Sequence, residues 1–377
     1  MKRRTLVRSA GATAIAFGSA LKLPAWGAVT ASIKIGQSCV LSGPLGEQLR
    51  LGNRGVAMVF DAVNRSGGIN GLPIELISLD DEFQPAKTLA NCEQLLQEHR
   101  VVALYGLLGT GNLLTVLPLL EKTGVPVVGC IGVTDSAREK TRDLVYFVRA
   151  GYGREVQKTL QQITTIGIRR IALAHFNNTG GEEFKTVFTQ SLQKLGMTPG
   201  VTTAVNVDGS NIAACATALA EDRPQAVVIF LAGGLPGKLI EAVNALGAFP
   251  NYYGMSVVPG ELTAKSLGPK LRNLIITQVI PYPWAKENPA LQAFRSLATA
   301  ASVPVGYSSL EGYINASILV EMLKRAGKDL SPAKLHAALK RVKGRFGGLD
   351  VDFTGTSNTG STFTELVYMA GDGKFLR

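Results

Sequence analysis

Apolar positions along the chain fall into two periods. Residues 33–40 and 74–79 are runs of strand length, and between them Val56, Val59, Phe60 and Val63 repeat at helical spacing. Ser42, Gly43 and Pro44 turn the chain into that helix, Gly67 and Gly68 end it, and the second run closes on Asp80 and Asp81. A helical pattern follows at 85–99. Residues 101–134 then read as strand, glycine-rich loop, helix, strand and polar loop, a complete βαβ unit. Its loops, 108–112 and 131–134, open at one carboxyl edge, where parallel sheets place their ligands. A turn glycine by itself only permits a tight bend. These loops gain functional weight from a second apolar strand that runs into a glycine-rich loop at 226–234. Two such edges can face each other across a cleft.

The order restarts near Phe147. It continues with a helix at 155–166, a strand at 170–175 and the loop Asn177, Asn178, Thr179, Gly180, Gly181. A helix on Phe184, Val187, Phe188, Leu192 and Leu195 comes next, then a central strand at 226–231 and a helix on Leu239, Ile240, Val243 and Leu246. Past 274–279, Pro281 and Pro283 interrupt the chain. Helical patterns occupy 289–301 and 308–326, Ser331 and Pro332 open one more helix, and 364–369 alternates as a strand. At 377 residues the chain exceeds what one core usually holds. The expected fold class is therefore α/β, two Rossmann-like lobes with parallel central sheets. No low-complexity linker separates them, so short crossovers must join them.

Apolar residues make up 46% and charged residues 18%, which excludes disorder, and no apolar run reaches the roughly 18 residues of a bilayer span. Residues 1–28 read as a signal peptide. Lys2, Arg3, Arg4 and Arg8 form its basic head and residues 10–21 its apolar stretch, with Arg3 and Arg4 weakly matching a twin-arginine pattern. Export to the periplasm is expected, by either the general or the twin-arginine route. Without this segment the balance falls from 39 basic against 28 acidic residues to 34 against 28, or +6. That charge is spread along the chain and argues against nucleic acid as a partner.

Cys39, Cys92, Cys130 and Cys215 show no C-x-x-C spacing and are expected as buried thiols, although an oxidising compartment permits a bridge. His99, His175 and His336 lie far apart, with His99 and His336 on helix faces expected to be exposed, so no metal site is expected. Neither a G-x-S-x-G elbow, an H-E-x-x-H pair nor a G-K-[ST] phosphate loop occurs, and neither catalysis nor a cofactor is expected. Asp80 and Asp81 read as a solvated turn. Ser308, Ser309, Leu310 and Glu311 fit a capping box that accounts for Glu311.

Leu41 to Pro44 after the first strand, the stretch 63–71 after the first helix, Asp80 with Asp81, and the βαβ unit at 101–134 together resemble one family. It is the leucine/isoleucine/valine-binding type of solute-binding protein that serves ABC importers, the type I periplasmic binding proteins. Nearly the whole chain after the signal is covered. The resemblance implies a Venus-flytrap of two lobes, 29–148 with 280–351 and 149–279 with 352–377, joined by three crossovers and closing by hinge motion. It implies a monomer without catalytic activity, with a permease and an ATPase as membrane partners. Carried over by position, the ligand site comprises Gln48, Leu108, Thr110, Asn112, Ile131, Gly132, Val133 and Thr134 in the first lobe, where backbone groups and a hydroxyl hold a ligand carboxylate. In the second lobe it comprises Asn178, Gly180, Ala232 and Ser256.

That second set departs from the amino-acid binders. Gly180 and Ala232 stand where aromatics are expected, Ser256 where an acid receives the ammonium group, and Gln48 where an aromatic often sits. The expected ligand is accordingly an aromatic or branched carboxylate lacking an α-amine. A true branched-chain amino acid remains an alternative if Glu311 or Glu261 takes over the ammonium. A sensory module for a membrane signalling protein and a secreted enzyme are the readings from other classes.

Overall fold

Short apolar strands and the helices between them build two sheets in the computed structural model, which describes residues 32–271, 273–370 and 374–377. The expected signal segment, 1–28, lies outside the described residues. The first sheet contains β1 (Ile33–Cys39), β2 (Ile74–Asp80), β3 (Ala103–Tyr105), β4 (Val127–Val128) and β5 (Val145–Tyr146), in the order β2-β1-β3-β4-β5 and parallel throughout. Its connecting helices are α1 (Gly43–Arg65), α2 (Pro85–Gln97), α3 (Thr110–Thr123) and the short α4 (Asp135–Lys140).

The second sheet begins after α5 (Tyr152–Thr165). It contains β6 (Ile171–Phe176), β7 (Thr202–Val205), β8 (Ala226–Phe230), β9 (Asn251–Gly254) and β10 (Leu274–Gln278), with α6 (Thr179–Gln193), α7 (Ile212–Asp222), α8 (Leu235–Ala245) and α9 (Gly260–Leu267) between them. The chain then returns to the first lobe as α10 (Pro289–Ala300), α11 (Tyr307–Ala326), α12 (Pro332–Leu339) and the hairpin β11 (Lys343–Phe346) with β12 (Leu349–Asp352). It ends on the second sheet with β13 (Glu365–Met369), antiparallel to β10, and β14 (Phe375–Leu376). The resulting order is β14-β13-β10-β9-β8-β6-β7. Two α/β lobes of mostly parallel sheet are therefore present, as the sequence pattern predicts.

The fully buried strands β6 and β8 explain why these segments are apolar without alternation, since helices cover both faces. Glycine sets one packing distance. A Cβ on Gly312 would lie 2.0 Å from the Gly52 carbonyl oxygen and one on Gly55 2.1 Å from that of Ser309, so α1 and α11 approach to backbone contact. Strand β4 is shorter than the apolar run at 125–130 suggests, because Gly129 turns the chain at φ 75°. Periodicity left β7, α7, β9, α9 and the β11–β12 hairpin unread, each being short or weakly patterned. All four cysteines are free and buried.

Candidate functional site

The carboxyl ends of the two sheets border a cavity of about 370 Å³. The first lobe lines it with Leu45, Phe83, Pro85, Leu108, Thr110, Asn112 and Gly132, the second with Phe176, Asn178, Gly180, Val207, Phe230, Ala232 and Val257. A narrower extension of about 40 Å³ shares Leu45, Leu108, Ala232 and Val257 with it and reaches Gln37, Gln48, Ile131 and Glu311. A further space of about 330 Å³ shares Glu82, Gln84 and Val207 and leads to the exposed Ser42, Asp208 and Lys238. The walls are mainly apolar, and aromatic contact runs across the cleft. The Phe83 and Phe176 rings are 6.5 Å apart, Phe176 meets Phe230 edge-on at 6.4 Å, and Phe230 stacks on Phe184 at 4.2 Å.

Two helices point their N-termini into this space. In α3 the first ladder bond runs from the Leu113 N–H to the Gly109 carbonyl at 3.1 Å, which leaves the N–H groups of Thr110, Gly111 and Asn112 outside the helix's own pattern. In α6 the Asn178 side chain accepts from the Gly181 N–H at 2.9 Å, so the cap is made, while Thr179 and Gly180 precede the ladder. Unpaired amides and the positive ends of two helix dipoles suit an anion. Among the described lining residues of the main cavity the only acid is Glu82, which Lys87 holds at 2.7 Å. A ligand ammonium group finds no free carboxylate there.

The turn that presents Phe83 is held from beneath by Asp81. Glu82 and Phe83 take left-handed conformations, φ 51° and 61°, which non-glycine residues adopt at a cost. Asp80 accepts from the Glu82 N–H at 2.9 Å and Asp81 from that of Phe83 at 2.9 Å, while Asp81 also accepts the Ser38 and Thr88 hydroxyls, each at 3.0 Å. Thr88 in turn accepts from the Asn112 amide at 2.9 Å, so one carboxylate sets both Phe83 and Asn112. Gly109, at φ 94°, completes the fit, since a Cβ there would lie 2.8 Å from the Phe83 ring. Burial raises the Asp81 pKa against the pull of these hydrogen bonds. Asp81→Asn keeps the shape but loses at least one acceptor, and should cost about 1–3 kcal/mol in urea unfolding. Coincident unfolding curves would mean that the carboxylate does not hold the turn.

Below the cavity floor lies a buried ionic network. The Arg149 guanidinium pairs with Glu311 at 3.2 Å and donates to the Ser256 hydroxyl, which itself donates to Glu155 at 2.8 Å. The Ser256 N–H donates to the other Glu155 oxygen at 2.8 Å. Arg138 adds donations to the carbonyls of Val133, Arg149 and Ala150. Burial pushes Glu155 up to about 7, with Arg149 and both Ser256 bonds pulling the other way. Arg149 lies after β5 where the chain passes to the second sheet, Glu311 on α11 of the first lobe and Ser256 beyond β9 of the second, so the network ties both lobes to the segment between them.

The structure brings Leu108, Thr110, Asn112, Gly132, Asn178, Gly180 and Ala232 together around the main cavity and places Gln48 and Ile131 on its extension. Val133 and Thr134 lie buried behind the wall, and Ser256 is committed to Glu155 and Arg149 while its neighbour Val257 faces the cavity. Three readings of the sequence are corrected. Glu311 is not explained by a capping box, because α11 starts at Tyr307 on the cap Gly306 and Glu311 pairs with Arg149. Asp81 is not solvated but fully buried, and besides the Phe83 N–H of its own turn it accepts hydroxyls from 43 and 7 positions away. His336 is half-buried and bridges the Tyr146 hydroxyl and the Gly124 carbonyl, each at 3.0 Å. Sequence reasoning missed Phe83, Phe176 and Phe230; Phe176 falls just past the strand read at 170–175, and Phe230 lies in a strand that reads as core.

Residues 32–371 match the family model described as periplasmic binding protein. The Leu/Ile/Val-binding protein homolog 3 of Brucella melitensis biotype 1 is 21% identical over 338 residues, 87% of this chain and 89% of that one. Among solved structures, a substrate-binding periplasmic protein from Ralstonia solanacearum is 26% identical with a TM-score of 0.86, over 92% of this chain and 99% of its own. An ABC transporter solute-binding protein from R. palustris, in complex with benzoate, shares the fold at 18% identity with a TM-score of 0.80, over 92% and 95% of the two chains.

Proposed function

The chain belongs to the periplasmic binding protein family, whose members are solute-binding receptors and not enzymes, and from that premise we propose that it captures a small apolar carboxylate lacking an α-amine. It delivers this ligand to the permease and ATPase components of an ABC importer. The observation that carries the reading is the composition of the cavity. Aromatic and aliphatic walls surround a polar part formed by the amides at the N-termini of α3 and α6, residues 110–112 foremost, with no unpaired acid among the described lining residues to receive an ammonium. An unpaired charge buried there would cost several kcal/mol. About 370 Å³ falls within the range of drug-sized ligand pockets and exceeds what a single benzene ring fills, so substituted aromatic or branched acids suit it. Benzoate in the R. palustris neighbour is a compatible chemistry, brought to this chain as part of the proposal.

A thermal-shift screen of aromatic and branched carboxylates against leucine, isoleucine and valine tests it. A ligand at 100 times its dissociation constant adds roughly 2.7 kcal/mol to stability. The expected result is a rise of several degrees with carboxylates lacking the amine. Stabilisation by the amino acids alone would overturn the ligand assignment and leave the receptor assignment in place.

A further inference from the structure

Thr134 and Ser136 of the first lobe both donate their hydroxyls to one carboxylate, and it is the protein's own. Glu183, on α6 of the second lobe, accepts from Thr134 at 2.5 Å and from Ser136 through the same oxygen. A hydroxyl has one proton to give. Thr134's is therefore directed to Glu183, and the Thr110 hydroxyl accepts from the Thr134 N–H at 3.1 Å. The remaining Thr110 proton has the Thr134 hydroxyl at 3.3 Å and the Gly132 carbonyl at 3.4 Å as acceptors. In this arrangement no hydroxyl proton of the three residues is directed to a ligand. Thr134 is 1% exposed, whereas Thr110 lines the cavity. The lobes also meet here, a Cβ on Gly180 falling 3.3 Å from the Thr110 hydroxyl oxygen.

We propose that Glu183 is an inter-lobe latch, an internal carboxylate that fills the hydroxyl site of Thr134 and Ser136 when the lobes close. A bound carboxylate is thereby directed to the amides of residues 110–112, and the second lobe is fastened to the first independently of ligand. This rests on the reading of the cavity as the ligand site, but its test does not need the ligand. Glu183→Ala vacates the site and should unfold at a lower temperature than the parent chain. Acetate should restore that temperature by a few degrees, saturably and against chloride of equal ionic strength. The parent chain should not respond to acetate, and Glu183→Gln, whose amide still fills the space, should be intermediate in stability and also unresponsive. Glu183→Ser repeats the test with a small polar side chain if the alanine variant does not fold. The proposal is overturned if the vacated variant matches the parent in stability, if acetate leaves it unchanged, or if acetate stabilises the parent equally. Benzoate provides a separate arm. If neither it nor any other aromatic or branched carboxylate of the thermal-shift screen stabilises any of the proteins while acetate rescues Glu183→Ala, the ligand reading has failed and the internal carboxylate stands.

Discussion

Replacing Arg149 with methionine should destabilise the protein by about 3 kcal/mol, and by more at pH 8 than at pH 5. Arg149 is 5% and Glu311 14% exposed, and Glu155 is fully buried, so removing the guanidinium takes the ion-pair partner from Glu311 and leaves Glu155 with only Arg138 as a nearby cation. The pH dependence follows from Glu155. Burial raises its pKa from 4.5 to about 7 in the folded chain, so the unfolded chain releases this proton first. The associated stability is fully present below 4.5 and is lost as pH rises through about 7. Arg149 is what restrains that rise, so the gap between Arg149→Met and the parent should widen from pH 5 to pH 8. Urea midpoints at the two pH values measure it. A constant or narrowing gap would mean that Glu155 is not coupled to Arg149.

The second large effect is on binding. Gly180→Phe should weaken ligand affinity at least ~100-fold, equivalent to ~2.7 kcal/mol, and should also lower the stability of the ligand-free chain, because Gly180 is buried against Thr110 of the other lobe. Gly180 is the second residue of α6, its φ is not in the left-handed region, and its missing side chain lets α6 approach Thr110, whose hydroxyl oxygen would lie 3.3 Å from a Cβ there. A benzyl group there both occupies the cavity and meets the opposite lobe before closure is complete. Affinity unchanged within threefold would show that the ligand lies elsewhere.

How much of this was legible beforehand depended on range. The loops at 108–112 and 131–132 could be placed because parallel strands announce themselves as apolar runs, and their carboxyl ends share one edge by geometry alone. The aromatic wall could not. Phe176 and Phe230 end strands whose every residue is buried, so pattern does not separate a cavity-facing ring from a core one. Phe83 depends on Asp81, which accepts from its N–H and is itself fixed by the Ser38 hydroxyl, 43 positions away. Glu311 satisfied a local capping pattern yet pairs with Arg149 of another element, and Glu183 reaches a residue 49 positions away. Buried charge takes its meaning from partners that only tertiary structure brings near.

The central claim is that the cavity takes a carboxylate and has no place for an ammonium, and titration calorimetry with matched pairs tests it most directly. Phenylpropanoate differs from phenylalanine, and 4-methylpentanoate from leucine, essentially by the amine alone. With an unpaired buried ammonium costing several kcal/mol, the member without the amine should bind at least ~100-fold more tightly in the pair that fits. Equal affinity within a pair, or tighter binding of the amino acid, would contradict the account.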